Sequence, residues 1–193
     1  MVSRFGTEGR TTSAADKQDV LEALLRSHEA YFDVSRDIAY AGRNFAGYAE
    51  FRTHSEQFVL VKRAKLWEAD AFEYIFFDVV DCVDEAWLDE AYRFMTTEAL
   101  TKVDPKPNHM MSFISIVAIA DSVSDGAKAK VRKMRFRKNF KFGFSGWADL
   151  RMALIDLSSL DVSTNGMGKE MKQTLLSCLQ AVRKNAALPA EQG

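Results

Sequence analysis

Eight basic residues and no acidic residue lie between Lys128 and Lys141, in a segment whose second half alternates in character. In an extended strand, three of these bases would share one face at multiples of roughly 6.7 Å, a spacing that suits successive phosphates. Two further bases precede them in a short predicted helix at about 124–133. The sequence therefore predicts an anion- or nucleic-acid-binding surface made of Arg132, Lys133, Arg135, Arg137 and Lys141.

The phenylalanines between these bases have the opposite parity and would point to the other face of the strand. A three-residue loop, 144–146, then pairs Phe140 with Leu150 and sets Lys141 opposite Asp149, with Gly146 in the left-handed position. An alternative loop, 145–147, preserves the same parity. Core packing is therefore favoured over base stacking, with one buried face formed by Phe136, Phe140, Phe142, Leu150, Met152 and Leu154.

The basic block has an acidic counterpart, because nine acids and no base lie between Glu68 and Glu90. The two blocks nearly cancel within a net charge of -1, which attracts a polyanion only weakly at long range. We therefore favour neutralisation within one molecule or across a homodimer over nucleic-acid binding. On this hypothesis, two or more of Arg135, Arg137 and Lys141 have a carboxylate within ion-pair distance.

Four carboxylates, Glu50, Glu68, Asp70 and Glu73, are the candidates for an acidic site. An α-β-β-β-α-β start is also the core order of the PD-(D/E)XK nucleases, in which two carboxylates and a lysine hold a metal and activate water. The nearest match is Asp37 with Glu50-Phe51-Arg52. Arginine is a poor substitute for that lysine because it stays protonated. A metal-dependent nuclease is therefore the third hypothesis, after self-association or binding and after nucleic-acid binding.

Other catalytic and cofactor motifs are missing from the sequence. The histidines His28, His54 and His109 share no metal-ligand motif, and Cys82 and Cys178 form no CxxC pair. Neither a GxxxxGK[ST] loop nor a GxSxG elbow is present. We therefore expect no metal and no cofactor, and the residues identify no catalytic site.

The periodicity predicts an α+β domain in which helices pack on a largely antiparallel sheet, in the order α-β-β-β-β-α-β-α-β-β-α. Helices are expected at about 15–30, 85–102, 124–133 and 167–184, the second capped by Asp84. The four early strands are expected at 31–40, 45–53, 58–67 and 73–80. Residues 113–120 (FISIVAIA) are apolar in both parities, which predicts a central strand covered on both faces.

Composition and the chain ends give the expected domain limits. With 193 residues, 47% hydrophobic, the chain suits one domain, predicted at 15–185, between a disordered tail at 1–14 and a frayed tail at 186–193. The N-terminus lacks the apolar stretch of a signal peptide, and the longest apolar run, 113–120, is far shorter than a membrane span. We therefore expect a cytoplasmic protein without a membrane partner.

Five stretches resemble a family of uncharacterised bacterial proteins over about residues 45–175. They are 48–51 (YAEF), 74–77 (YIFF) with the acidic helix after it, 141–147 (KFGFSGW), 153–157 (ALIDL) and 164–170 (TNGMGKE). The resemblance implies no activity, ligand or catalytic residue. It leaves an α+β protein that acts by binding or self-association as the leading hypothesis.

Overall fold

The computed structural model describes residues 16–58, 65–107 and 109–187, which form four α-helices and seven β-strands. The helices are α1 (Lys17–His28), α2 (Glu85–Thr96), α3 (Asp125–Val131) and α4 (Lys169–Ala187), and a 3-10 helix (Ala99–Lys102) follows α2. The strands are β1 (Asp33–Tyr40), β2 (Arg43–Phe58), β3 (Lys65–Val83), β4 (His109–Val123), β5 (Arg137–Asn139), β6 (Trp147–Asp156) and β7 (Asp161–Thr164). None of the described helices is both long and apolar enough to cross a membrane.

The described strands form one mixed sheet in the order β1-β2-β3-β4-β6-β5, with β7 also paired to β6. Strands β1, β2 and β3 are an antiparallel meander, whereas β3, β4 and β6 run parallel. Parallel neighbours need a crossover connection, which α2 and α3 supply. The predicted α+β class with largely antiparallel pairing is confirmed, since β5 and β7 are also antiparallel to β6.

Strand β4 lies in the middle of the sheet and is buried on both faces, as its sequence predicts. Ile114 and Ile116 belong to the core beneath α2 and α3. Val117 and Ile119 belong to the second core, beneath α1 and α4. Apolar side chains of both parities are thereby removed from water, and the sheet is sandwiched between two helical layers.

Local signals fix where the helices begin. The carboxylate of Asp84 accepts a hydrogen bond from the Trp87 amide at 2.8 Å, which confirms the predicted cap of α2. Ser124 caps α3 in the same way, through the Ala127 amide at 3.0 Å. Helices α1, α2 and α3 lie within their predicted ranges. Helix α4 begins at Lys169 and continues beyond its predicted end at residue 184, to Ala187.

The predicted order of elements matches the structure roughly and differs from it in two places. Among the described residues, three strands lie between α1 and α2, because β2 and β3 are 16 and 19 residues long and include both ends of the predicted third strand at 58–67. The last strand, β7, follows the predicted hairpin and was not predicted. Residues 59–64, and residues 1–14 and 188–193 of the predicted tails, lie outside the described residues.

The hairpin register also differs from the prediction. Arg137 pairs with Asp149 and Asn139 with Trp147, a shift of four residues that keeps parity but enlarges the loop to 140–146. Phe136 and Phe140 pack on the core as predicted, whereas Phe142 is wrongly predicted as a core residue. Left-handed backbone at residues 141–143 closes the loop, so the paired strand ends before Phe142 is reached.

Asp156, at the end of β6, connects the sheet to α3 and to the following turn. Its carboxylate lies 2.6 Å from the Lys128 ammonium and accepts hydrogen bonds from the hydroxyls of Ser158 and Ser159. Burial alone would raise the pKa of Asp156, but these partners outweigh it and lower the pKa to about 2.

We expect the stabilising effect of Asp156 to depend on pH. Because its pKa is lower in the folded chain than the usual value near 4, the carboxylate stabilises the fold above about pH 4 and loses this contribution as the pH falls towards 2. The pKa difference corresponds to about 2 kcal/mol, of which about 1 kcal/mol should be lost by about pH 3.

Urea unfolding of the wild type and of Asp156→Asn measures this dependence, with the exposed Asp104→Asn as control. The stability difference between wild type and Asp156→Asn should narrow as the pH falls. A difference that does not vary with pH would contradict the assignment.

We expect the two loop glycines to differ sharply in their tolerance of alanine. Both have positive φ, +94° at Gly143 and +69° at Gly146. A Cβ at Gly143 meets nothing within 4 Å, whereas one at Gly146 would lie 2.1 Å from the Met110 carbonyl oxygen. Gly143→Ala should therefore cost about 1 kcal/mol of backbone strain and Gly146→Ala about 3 kcal/mol or more. Thermal unfolding of the two variants tests the contrast, and equal losses would refute it.

Candidate functional site

The loop between β5 and β6 exposes two aromatic rings. Lys141, Phe142 and Gly143 have φ values of 47°, 57° and 94°, so three successive residues adopt left-handed backbone. Phe142 is 102% exposed and Phe144 is 88% exposed. The sequence predicts that the Phe142 ring is buried in the core, whereas the structure places it on the surface. Contiguous exposed apolar patches are typical of surfaces that contact a partner, whereas single exposed apolar side chains are common on any protein.

Three bases of the Lys128 to Lys141 block are neutralised by carboxylates. Arg137 donates to both carboxylate oxygens of Asp149, at 2.8 and 2.5 Å, and its guanidinium lies 5.4 Å from the Trp147 ring centroid. The hydrogen bonds that Arg137 donates to Asp149 raise the pKa of Arg137 above its ordinary value. Lys128 pairs with Asp156 and Lys130 with Asp89. Only the last of these carboxylates belongs to the acidic block.

The other five bases are exposed and have no carboxylate within ion-pair distance in the part of the chain that the structure describes. They are Arg132, Lys133, Arg135, Lys138 and Lys141. We call these five bases, with Phe142 and Phe144, the basic tip. Of the three arginine and lysine residues expected to find acidic partners, Arg137 alone has one among the described residues. Neutralisation across a homodimer stays a prediction.

Glu50 is neutralised on the α2 side of the sheet. Its carboxylate accepts hydrogen bonds from the Tyr48 hydroxyl and the Arg52 Nε, both at 2.6 Å. Burial alone would raise the pKa of Glu50, but these donors hold it below its usual value. The Lys102 ammonium lies 3.8 Å from the same carboxylate and 4.5 Å from the Tyr48 ring centroid. Every strong acceptor position on Glu50 therefore faces a donor from the chain itself.

Glu73 points to the opposite face, towards α1 and α4. Its Oε1 accepts hydrogen bonds from Ser115 at 3.1 Å and from Arg151 Nη1 at 3.0 Å. Arg151 also donates through Nη2 to Glu170 at 2.9 Å, and its guanidinium carbon lies 3.4 Å from the Phe113 ring centroid. The Arg151 side chain is nine-tenths buried, and its Nε has no hydrogen-bond partner among the described residues.

The predicted acidic site is not formed by the two of its residues whose side chains the structure describes, Glu50 and Glu73. Glu50 of β2 pairs with Tyr74, and Glu73 of β3 pairs with Phe51. These two neighbouring pairs point to opposite faces of the sheet, so the two carboxylates do as well. The backbones of Glu68 and Asp70 pair with Glu56 and His54 in the same hairpin. Their side chains lie outside what the structure describes.

The observed start, α1-β1-β2-β3-α2-β4, matches the order of the nuclease core, but the carboxylates do not converge. Glu50 pairs with Asp33, so Asp37 lies four residues further along β1, about 13 Å away. Within the described residues, no three His, Cys, Asp or Glu side chains lie close enough to hold one metal ion. The geometry therefore gives no support to metal-assisted hydrolysis at Asp37 and Glu50.

Arg151, Glu170 and His28 were missed by sequence reasoning. They line one cavity of about 150 Å³ with Glu73 and with apolar residues of β3, α4 and the loop between α1 and β1. A signal was present for Arg151, which is a charged residue inside the apolar strand 150–155 (LRMALI). A charge in such a strand needs buried partners, and those partners come from β3 and α4, far away in sequence.

Comparison with known proteins gives a family but no activity. A family model described as a domain of unknown function (DUF8052) matches residues 16–177. No curated protein and no solved structure matches the chain. The expected membership of an uncharacterised family is thereby confirmed.

We expect Arg151 and Glu73 to be energetically coupled. Arg151→Met leaves the Glu73 carboxylate without its cationic partner in a mostly buried position, so it should lower the free energy of unfolding by about 3 kcal/mol. Adding Glu73→Gln removes the stranded charge and should recover about half of that loss.

Urea unfolding of wild type, the two single variants and the double variant completes a double-mutant cycle and measures the coupling free energy between Arg151 and Glu73. Glu170→Gln serves as control and should cost less than about 1 kcal/mol, because the Glu170 side chain is 81% exposed. Additive losses in the double variant would show that the two residues are not coupled.

Proposed function

The chain belongs to the DUF8052 family, and we propose that it binds single-stranded nucleic acid through the basic tip. The observation that carries this proposal is the pair of exposed rings, Phe142 and Phe144, beside exposed lysines that have no acidic partner among the described residues. Cationic groups bind phosphates, and aromatic rings stack on bases. Both chemistries meet in the same loop.

The exposed phenylalanines remove the main objection to a nucleic-acid ligand. Interleaved phenylalanines in a core-facing strand cannot stack on bases, and the sequence alone favours that arrangement. With the loop at 140–146, two rings leave the core while Phe136 and Phe140 still anchor the hairpin to it. Aromatic side chains thereby become available without loss of the packed face.

A single strand suits this geometry better than a duplex. Bases in a duplex already stack on one another, whereas unpaired bases offer free faces to a ring. The short strand β5 lies at the edge of the sheet, and its loop contains no α-helix that could enter a major groove. Phe142 and Phe144 are two residues apart, which allows contact with neighbouring bases.

Arg137 is excluded from the proposed contacts because Asp149 already neutralises it. The tip must therefore act through its local charge, since the whole chain carries -1. Long-range attraction to a polyanion is weak in that case. We expect modest affinity with steep salt dependence.

We expect the triple variant Arg135→Ala/Lys138→Ala/Lys141→Ala to weaken binding of a fluorescein-labelled oligo(dT) of roughly 16 nucleotides. Each lost phosphate contact should reduce the slope of log K against log salt by about 0.7, so the slope should fall by about 2. The double variant Arg183→Ala/Lys184→Ala removes exposed bases of α4 and is the control. Fluorescence anisotropy at several salt concentrations measures both. Equal slopes for the triple variant and wild type would exclude the tip as the contact surface.

We expect Phe142→Ala to weaken oligo(dT) binding by about 1 to 3 kcal/mol through lost stacking, and Phe142→Trp to retain binding. Tyr31→Ala is the matched control, because Tyr31 is an aromatic residue of 79% exposure elsewhere on the surface. If the alanine variant of Phe142 binds as tightly as wild type, the aromatic half of the proposal is wrong.

Two other partners for the tip are distinguished by the same variants. Loss of binding to phosphatidylglycerol vesicles, with oligo(dT) binding unchanged, would replace nucleic acid with an anionic membrane surface. A dimer that dissociates in Phe142→Ala during analytical ultracentrifugation would replace it with self-association. The single domain at 15–185, the cytoplasmic location and the homodimer stay predictions.

A further inference from the structure

The cavity beside Arg151 is a cleft with charged and apolar lining. It offers about 150 Å³ between α1, α4 and the sheet and is open to solvent. Its charged lining is Arg151, Glu73 and Glu170, and its apolar lining includes Phe32, Ile75 and Leu175. A cavity of about this volume is large enough for a benzene-sized group. The cavity therefore has the division into apolar walls and a few polar groups that small-molecule sites have.

Arg151 is rigidly held while one of its partners is not. Its side chain is only 9% exposed, stacks on Phe113 and is fixed by Glu73, whose own side chain is 17% exposed. Glu170, the second partner, is 81% exposed and makes one contact to Nη2. An ion pair with so exposed a partner contributes little, so the Glu170 carboxylate is easily displaced.

Arg151 also has donor capacity that the chain does not use. A guanidinium carries five N–H donors, and the buried Nε–H of Arg151 has no partner within the described residues. A planar carboxylate is the group that an arginine fork binds best. Glu170 shows that the pocket tolerates one carboxylate in addition to Glu73.

We infer that the cavity is a binding site for a small monocarboxylate with an aromatic or branched apolar part. The ligand carboxylate replaces Glu170 on Arg151, and the apolar part fills the space against Phe32, Ile75 and Leu175. The charge count at Arg151 is then the same as before, because one carboxylate exchanges for another. A dianion such as phosphate would add a second negative charge beside Glu73, which disfavours it.

Benzoate is the probe, and benzamide is its neutral counterpart of the same shape. Isothermal titration calorimetry should detect benzoate binding and at least tenfold weaker binding of benzamide, a ratio typical of a lost charged hydrogen bond. In a ¹H–¹⁵N correlation spectrum, benzoate should shift the Arg151 Nε–H resonance and amides of residues 169–175. Equal affinity for the two ligands, or shifts confined to another surface, would overturn the inference.

Variants identify the group that the ligand displaces. Glu170→Gln removes the competing carboxylate and should tighten benzoate binding by up to about fivefold. Glu90→Gln is the matched control, since Glu90 is an exposed glutamate beside Arg43 on the opposite face. Met171→Phe enlarges a side chain that lines the cavity and should block binding.

Arg151→Met should abolish benzoate binding. If that variant does not fold, the Glu170 and Met171 variants still decide the matter. Unchanged benzoate affinity in both of these variants would place the ligand elsewhere. These outcomes are independent of the basic tip, which lies on other elements.

Discussion

Strand β4 has apolar side chains on both of its faces, and folding is favourable only if both faces are buried away from water. Helices therefore cover both sides of the sheet, α2 and α3 on one side and α1 with α4 on the other. Ser115 is the one polar residue between Ile114 and Ala120, and its hydroxyl binds Glu73 beneath α4. The two helical layers that β4 requires thus also form the cleft in which Arg151 and Glu73 meet. The cavity is a product of the fold's central constraint.

Much of the fold follows from local signals, because periodicity and caps act over a few residues. The four helices, the central strand and the α+β class are predicted correctly for this reason. The hairpin register is predicted wrongly because parity alone cannot separate registers that differ by four residues. Both registers place the Phe136 and Phe140 rings in the core, and the left-handed turn at residues 141–143 decides between them. That preference depends on tertiary fit around Gly146, which the sequence does not display.

The candidate sites were less predictable because their members come from distant segments. Glu73 could be proposed as an acidic residue of interest, but its partner Arg151 is 78 positions away. Charge blocks were a weak guide to pairing. Arg137 binds Asp149 on the neighbouring strand, and among the described side chains Lys130 is the one base of its block that reaches the acidic block, at Asp89. A base pairs with the carboxylate that the fold places within a few ångströms, because the attraction between two charges falls with distance. The net charge of a sequence segment does not decide the pairing.

The rings of Phe142 and Phe144 determine the chemistry of their surface but contribute little to the stability of the fold. A side chain that is as exposed in the folded chain as in the unfolded chain adds no burial energy to folding. The loop holds its shape through backbone conformation and through Gly146 against Met110, and neither depends on what the two rings are. The two side chains can therefore be replaced with little loss of folding free energy, so the chemistry of this surface is free to change while the scaffold beneath it stays the same.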